Sequence, residues 1–435
     1  MNDYREYHQA VKFVESLLSI PQPYGFTMEH PAAHPEAHLK RMRYFLRMLG
    51  NPEKNMKFVH VTGTAGKGTV AHLIHRMLCA EGKGAGLFTS PFVTTTAEKI
   101  VVNRRFISAR EFARLVAEIK PFITRAYAEC PYGGPTYFET LLALALMYFK
   151  EQKCAWAVLE VGCGGRFDAT NVIPSTKVAV ITNVDYDHMR LLGKTLKKIA
   201  YEKAGIIKRG SVCITGEKRP RIRSVVEKIC ARVGARYVYA AAGQKNNTTE
   251  SNRRIAEAAA RACGVSKQAI ERVAREGVQL PARFEIMQEN PLVILDGAHN
   301  RIKMRSTVER FCALGIQRAH FVIGFSHDKA YAEMIRMVLP YARHIYATRF
   351  QDATHTCVNP KDILAEVKRQ AGNCILVPTN MYLDARDALS AAFRNARAKD
   401  TILITGSLYL AGELRARWYA EERAVLARTS FPSHS

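Results

Sequence analysis

No stretch of the 435 residues approaches the ~18–20 consecutive apolar positions that a membrane helix needs. The longest candidate, 140–149, is too short and is expected to be a buried helix. The opening residues Met1-Asn2-Asp3-Tyr4-Arg5-Glu6 are polar, so no signal-peptide core is expected there. The ten cysteines are scattered singly, and none forms a Cys-x-x-Cys pair. That speaks against a zinc ribbon and against a disulfide framework; reduced thiols in a cytoplasmic protein are the expectation. There is no internal repeat and no low-complexity run. Acidic residues are in short supply, 39 against 64 Lys and Arg, which leaves a net charge of +25.

Such a charge fits either nucleic acid or small anionic substrates. Nucleic acid calls for a dense basic patch. Here the basic residues are spread along the chain, with only short clusters such as Lys40-Arg41-x-Arg43 and Lys218-Arg219-x-Arg221-x-Arg223. Spread charge is usually a solvated surface, so neither a nucleic-acid nor a membrane partner is expected. Hydrophobic residues make up 48% of the chain, enough for a sizeable core, and the length suits two or three domains.

Apolar strands alternate with amphipathic helices. Strands are expected at 57–62, 100–102, 155–161, 178–182 and 212–215. Helices are expected at 67–80, 109–127, 137–150, 194–204 and 221–232. The pattern restarts with strands at 292–296, 320–324, 344–347, 374–377 and 401–405. Strands separated by helices imply right-handed crossovers and a mainly parallel sheet. The expected fold is therefore α/β, with a boundary near residue 283 separating 1–282 from 283–435. The polar stretch 243–252 reads as a loop. The Pro/His-rich segment 21–49, with Pro31, His34, Pro35 and His38, lacks zinc-site spacing and also reads as a loop.

Gly63-Thr64-Ala65-Gly66-Lys67-Gly68-Thr69 follows an expected strand and opens an expected helix. Glycines there let backbone N–H groups close around phosphate oxygens, and the helix N-terminus adds a positive field. Lys67 would reach the β/γ-phosphates and Thr69 would bind Mg²⁺. Two residues separate the glycines ahead of Lys67, a shorter spacing than the common phosphate loop. Glu160 ends a buried strand, a costly place for a carboxylate without a partner or a metal.

These segments come in a recognisable order. After the loop stand Gly86-Leu87-Phe88-Thr89-Ser90-Pro91 and Thr136-Tyr137-Phe138-Glu139. Then follow Leu159-Glu160-Val161-Gly162-Cys163-Gly164-Gly165-Arg166-Phe167-Asp168-Ala169-Thr170-Asn171, Ile181-Thr182-Asn183 with Asp187-His188, and Glu202-Lys203-Ala204-Gly205. Asp296-Gly297-Ala298-His299-Asn300, Asp328-Lys329 and Thr405-Gly406-Ser407-Leu408-Tyr409 complete the series. In this the chain resembles the folylpolyglutamate synthase/dihydrofolate synthase family of the Mur ligase superfamily.

The resemblance implies a phosphate-loop ATPase domain followed by a Rossmann-like C-terminal domain. It implies an ATP-dependent ligase: ATP phosphorylates the carboxylate of a folate or dihydropteroate, and the amine of L-glutamate displaces the phosphate. It assigns Gly63, Thr64, Ala65, Gly66, Lys67, Gly68, Thr69, Asn252, Arg283 and Asp296 to ATP. Thr69, Ser90, Glu160, His188 and Lys203 would hold two Mg²⁺ ions, with Lys203 carbamylated by CO₂. Arg166, Asp168, His299 and Ser407 would face the substrates. Lys67, Lys203, Asp296 and His299 would carry catalysis, with His299 or Asp296 as the base near the amine. The family suggests a monomer. Alternatives are a Mur-type ligase acting on a non-folate acid and, from another class, a nucleic-acid-binding NTPase.

The sequence departs from the family in four places. Ala65 stands where asparagine is usual, and Phe92 replaces the histidine of Ser-Pro-His. Segment 21–49 fits poorly, and the stretch between Lys208 and Arg283 is short. The backbone cradle for ATP survives the loss of a side-chain contact at Ala65, and the remaining departures bear on the acceptor pocket.

Overall fold

The computed structural model describes residues 2–21, 35–240, 248–351, 356–372 and 377–432. The chain divides into two compact units. Unit 1 comprises 1–92, 96–278 and 425–429; unit 2 comprises 93–95, 279–424 and 430–435.

Unit 1 is built on an eight-stranded sheet. Its strands are β1 (Lys57–Thr62), β2 (Ala85–Phe88), β3 (Ile100–Val102), β4 (Arg105–Phe106), β5 (Trp156–Glu160), β6 (Val178–Ile181), β7 (Val212–Thr215) and β8 (Arg236–Tyr239). The order is β4-β3-β2-β5-β1-β6-β7-β8. From β2 to β8 the neighbours run parallel; β3 and β4 add antiparallel strands at one edge. Its helices include α1 (Asn2–Ser16), α2 (Glu36–Met48), α3 (Lys67–Ala80), α4 (Ala109–Glu129), α5 (Tyr137–Glu151), α6 (Met189–Leu192), α7 (Leu196–Lys203), α8 (Pro220–Val233), α9 (Thr248–Ala262) and α10 (Lys267–Glu276). The central strands are buried along their length, as continuous apolar runs in a covered parallel sheet should be. All parallel strands point one way, so the loops after β1, β2, β5, β6 and β7 gather along one edge.

Two expectations for this unit need correcting. Residues 36–48 form α2 rather than a loop: Ala37, Leu39, Met42, Phe45 and Leu46 make a buried stripe at helical spacing. His38 lies on that helix, while Pro31 and His34 lie outside the described residues. Arg41, on the same face, forms a buried bidentate pair with Glu139, at 2.8 and 2.9 Å. Glu139 also closes the capping box that starts α5. The second correction concerns 243–252, of which 248–252 are the first turn of α9.

The buried histidines give this unit an acid-sensitive stability. Burial pushes His60 on β1 down to about 3 and His75 on α3 down to about 4. Both are neutral when folded, whereas the unfolded chain takes up their protons below about 6.5. Their contribution is therefore complete above pH 6.5 and is lost as pH falls towards those folded values. Urea unfolding is expected to show stability falling from pH 7 to 5, with a shallower slope in His75→Gln. An unchanged slope would remove His75 as a source.

Unit 2 has a six-stranded sheet in the order β13-β12-β11-β14-β10-β9. These are β9 (Glu285–Glu289), β10 (Leu292–Leu295), β11 (Ala319–Ile323), β12 (Ala342–Ala347), β13 (Thr379–Met381) and β14 (Thr401–Thr405). β9 is antiparallel to β10; the remaining pairs are parallel. Helices α11 (Arg301–Ala313), α12 (Tyr331–Val338), α13 (Pro360–Ala371), α14 (Ala385–Asn395) and α15 (Leu408–Arg415) cover it. Of the strand expected at 374–377, residues 374–376 lie outside the described residues; the described strand is β13 at Thr379–Met381. No helix among the described residues is long and apolar enough to cross a membrane.

Candidate active site

The glycine loop of unit 1 joins β1 to α3. Gly66 caps the helix in the left-handed region, at φ 81°. A Cβ there would stand 2.4 Å from Asn252 Oδ1, so glycine is required on steric grounds as well as conformational ones. The same contact places Asn252, on α9, directly over the loop. Neighbours from the β6 end hold the loop's shape. Thr182 Oγ1 donates to Ala65 O at 2.6 Å, and Ala65 N donates to Asn183 Oδ1 at 2.9 Å. Asp185 N donates to Thr64 Oγ1 at 2.9 Å. The side chain absent at Ala65 is thus offset by backbone contacts to Asn183.

Glu160 and Ser90 meet beside this loop. Ser90 N donates to Glu160 Oε2 at 3.3 Å, and a Cβ on Gly68 would lie 3.3 Å from the same oxygen. The carboxylate is buried and adjoins the start of α3, where Thr69 follows. One buried carboxylate beside Ser90 and the start of α3 suits Mg²⁺, which takes its other ligands from water and phosphate. A second ion fits less well with the residues as they stand. Among the described residues, no three His, Cys, Asp or Glu side chains gather as a metal cage. His188 caps α6 with a left-handed backbone, φ 49°, its Nε2 3.8 Å from Asp187 Oδ1.

Lys203 ends α7 and is 3% exposed. Its Nζ donates to Gly63 O at 3.0 Å, which brings the amine against the phosphate loop. Burial, and then repulsion from Lys67, lowers its pKa to about 8.

The loop after Glu160 is pinned on three sides. Asp168 is half-buried; its Oδ2 accepts from Cys163 N at 2.9 Å and its Oδ1 from Thr170 N at 3.0 Å. Thr170 Oγ1 donates to the same Oδ1 at 2.5 Å and lies 2.7 Å from His60 Nε2. That hydroxyl hydrogen is already committed, so His60 carries its proton on Nε2. Thr62 Oγ1 donates to Gly164 O at 2.6 Å. Asn171 Nδ2 bridges Arg166 O and Gly205 O at 3.0 and 3.2 Å, tying the loop to the turn just after Lys203. Arg166 stacks on the Tyr201 ring at 4.0 Å, with Nε 3.7 Å from Glu202. This geometry favours the shape-holding role for both Asp168 and Arg166. Arg166→Ala is accordingly expected to lower the melting temperature and to change KM for the acid substrate and for ATP in parallel. A rise confined to the acid substrate would place the guanidinium on that substrate.

In unit 2, the segment after β10 carries Asp296 and His299. Asp296 accepts from Phe284 N at 2.7 Å, Ala298 N at 3.0 Å and Thr307 Oγ1 at 2.6 Å. Burial raises its pKa, and the hydrogen bonds and Arg283 oppose that rise. With three donors on its two oxygens, Asp296 is a poorer candidate for a base than His299. Arg283 lies between two residues of positive φ, Ala282 at 51° and Phe284 at 56°. Buried carboxylates hold both flanks: Glu285 Oε2 accepts from Ala282 N at 2.8 Å, and Asp296 accepts from Phe284 N. Glu285 is itself clamped by Arg415, at 2.8 to 3.2 Å. Ser407 caps α15, its side chain accepting from Tyr409 N at 3.1 Å.

Residues 61–261 match the Mur ligase middle domain, and residues 282–408 match the Mur ligase glutamate ligase domain. A dihydrofolate synthase/folylpolyglutamate synthase of Bacillus subtilis is 31% identical over 418 residues, covering 87% of this chain and 94% of that protein. The chain belongs to the folylpolyglutamate synthase/dihydrofolate synthase family. Its fold is also that of solved members. A Mycobacterium tuberculosis folylpolyglutamate synthase gives a TM-score of 0.83 at 24% identity, over 95% of this chain and 99% of that one. An FPGS–AMPPCP complex gives 0.76 at 26% identity, over 94% of this chain and 99% of that one.

For this member of the folylpolyglutamate synthase family, two sets of expected residues come together. Gly63 to Thr69, Ser90, Glu160, Lys203 and Asn252 meet in unit 1; Arg283, Asp296 and His299 meet in unit 2. Sequence reasoning missed Asn183, which shapes the phosphate loop, and Lys303, whose Nζ lies 2.8 Å from His299 Nε2. Lys303 had one available signal. His299 and Lys303 are four residues apart across a helix start, a spacing that brings side chains together.

Proposed function

We propose that the chain is an ATP-dependent ligase that joins L-glutamate to the carboxylate of a folate or of dihydropteroate, through an acyl phosphate. The observation that carries this is the close approach of Glu160, Ser90 and Lys203 to the phosphate loop, in a chain that matches a curated bifunctional synthase over nearly that protein's whole length. Nucleotide binding is supported by the related FPGS–AMPPCP complex.

In this reading the backbone of Gly63 to Gly68 cradles the phosphates, while Lys67 neutralises their charge. Asn252 borders the nucleotide from α9. Glu160, with the hydroxyls of Thr69 and Ser90, would hold one Mg²⁺; His188 would join in holding a second only with Lys203 carbamylated. When bound, Mg²⁺ supplies charge neutralisation and polarises the transferred phosphoryl group. The chain's own work is mostly positioning. The substrate carboxylate attacks the γ-phosphorus, ADP leaves, and the neutral amine of glutamate attacks the acyl carbon. Phosphate is then expelled from the tetrahedral intermediate. In this reading His299 takes the amine's proton, and Ser407 contributes by fixing the start of α15. The protein acts as a monomer on small molecules in a reducing cytoplasm, in keeping with nine free cysteines among the described residues.

The test is ATP-dependent phosphate release in the presence of L-glutamate, with dihydropteroate or tetrahydrofolate as acceptor. Turnover requiring all three components is expected. ATP binding without turnover of any pterin would move the chain to a Mur-type ligase for another acid.

A further inference from the structure

Helix α11 presents a polar stripe to the two segments that carry Arg283, Asp296 and His299. Its N-cap Asn300 accepts from Lys303 N at 3.1 Å. Lys303 Nζ reaches His299 Nε2 at 2.8 Å, and Thr307 Oγ1 reaches Asp296 Oδ1 at 2.6 Å. Arg310 Nη1 donates to Arg283 O at 3.2 Å, with its guanidinium 4.3 Å from the Phe284 ring centre. Positions 300, 303, 307 and 310 lie on one helical face. Three of these contacts hold backbone or a carboxylate in place. The Lys303 contact differs, because it engages a group able to exchange protons.

The protonation state of this couple follows from its partners. His299 Nδ1 lies 2.8 Å from Gly297 O, and a carbonyl can only accept, so the proton is on Nδ1. A protonated imidazole would also point an N–H from Nε2 at an ammonium, which 2.8 Å does not allow. His299 is therefore neutral, and its Nε2 lone pair is taken by a Lys303 N–H. In this state His299 cannot act as a base.

We propose that Lys303 is a positioning residue for the amino-acid half of the reaction, one that caps the His299 lone pair and releases it when an amino-acid carboxylate takes its ammonium. The inference rests on the glutamate-ligase reading above. The incoming amino acid is a zwitterion and matches the couple at both ends. Its carboxylate accepts from Lys303 Nζ, and its ammonium turns to the uncapped Nε2. One N–H bond of that ammonium breaks and an Nε2–H bond forms. The amine keeps the electron pair with which it attacks the acyl carbon, His299 becomes imidazolium, and Lys303 keeps its charge throughout. An amine with no adjacent carboxylate leaves His299 capped and stays protonated.

The experiment compares the full-length wild type, Lys303→Met and Lys303→Arg. In Lys303→Met, KM for L-glutamate should rise at least about tenfold while KM for ATP stays within about twofold, and Lys303→Arg should recover most of the loss. The wild-type preference for L-glutamate over 4-aminobutyrate, which lacks the carboxylate beside the amine carbon, should shrink by about tenfold or more in Lys303→Met. An unchanged glutamate KM in Lys303→Met, or glutamate and ATP KM rising together, would overturn the proposal. Nitrogen-15 NMR of His299 in the ligand-free protein gives a readout independent of turnover. The Nδ1–H tautomer, fixed by Gly297 O, should persist in both proteins, whereas the Nε2 resonance should move downfield in Lys303→Met as its lone pair loses the Lys303 donor, and an unchanged Nε2 shift there would equally overturn the proposal. Wild-type protein inactive with glutamate would count against the ligase reading, and the NMR comparison would then decide on Lys303 by itself.

Discussion

Lys67→Ala should lose ligase turnover by at least about a hundredfold and remain folded. Lys67 is the first residue of α3, half-buried, at the tip of a loop whose shape depends on Thr182, Asn183 and Asp185 rather than on the lysine itself. Alanine is the best helix former for that position. The substitution also removes a cation that repels the buried Lys203. On stability grounds the variant should therefore be neutral or slightly improved. On phosphate grounds it loses the side chain that neutralises charge where the γ-phosphoryl group departs. Steady-state phosphate release measured beside a melting curve separates the two effects. Near-normal ligation would mean that the loop has been misassigned, and loss of activity with a collapsed melting temperature would mean that Lys67 is structural.

The sequence was most readable where one physical cause dominates. Val59, Val61, Val158, Leu159, Val180 and Ile404 belong to strands buried on both faces, so their segments are continuous apolar runs that survive any detail of packing. The short strands β3 and β7 were legible, but two other short or mixed segments were not. Ala85-Gly86-Leu87-Phe88 forms β2 because its neighbours β3 and β5 hold it on either side, and Gly86 is there to leave room for Phe149. Glu285–Glu289 is an edge strand with little apolar content, and what sets its start is a buried pair with Arg415, 130 residues away. Helix α2 carries a clear apolar stripe, but the prolines and histidines ahead of it drew attention to composition instead.

The site divides in the same way. The phosphate loop, Glu160 and His299 could be picked out because motifs fix their spacing. Their supports could not. Asn183 acts through hydrogen bonds to a backbone that is distant in sequence. Asp168 and Ser407 were read as substrate contacts because they stand within motifs, yet each spends its oxygen atoms on nearby backbone N–H groups. A motif shows that a residue belongs to a site. It does not show whether the side chain faces the ligand or holds the residues that do.

Lys203→Ala should abolish most activity, and short carboxylates such as acetate should restore part of it. An ammonium buried to 3% exposure beside Lys67, donating to a carbonyl, is a poor resident of a site that must also gather cations. Reaction with CO₂ changes that. The ammonium first gives up one proton; the neutral amine then attacks the carbon of CO₂, an N–C bond forms and a second proton leaves. The charge passes from +1 to −1, and the remaining N–H can still donate to Gly63 O. The new oxygens extend beyond Nζ, where a cation facing the phosphates can use them. Alanine removes both the nitrogen and the oxygens, leaving a cavity open to a small carboxylate that supplies the oxygens alone. The rescue should saturate with acetate and should be absent in the Lys67→Ala background, which lacks a different function. Intact-protein mass spectrometry after trapping of the carbamate should find one added carboxyl group on the wild type and none on Lys203→Ala. A high-resolution map showing a bare ammonium at Lys203 with nucleotide and both metal ions bound would sink the proposal, as would Lys203→Ala retaining full turnover without added carboxylate.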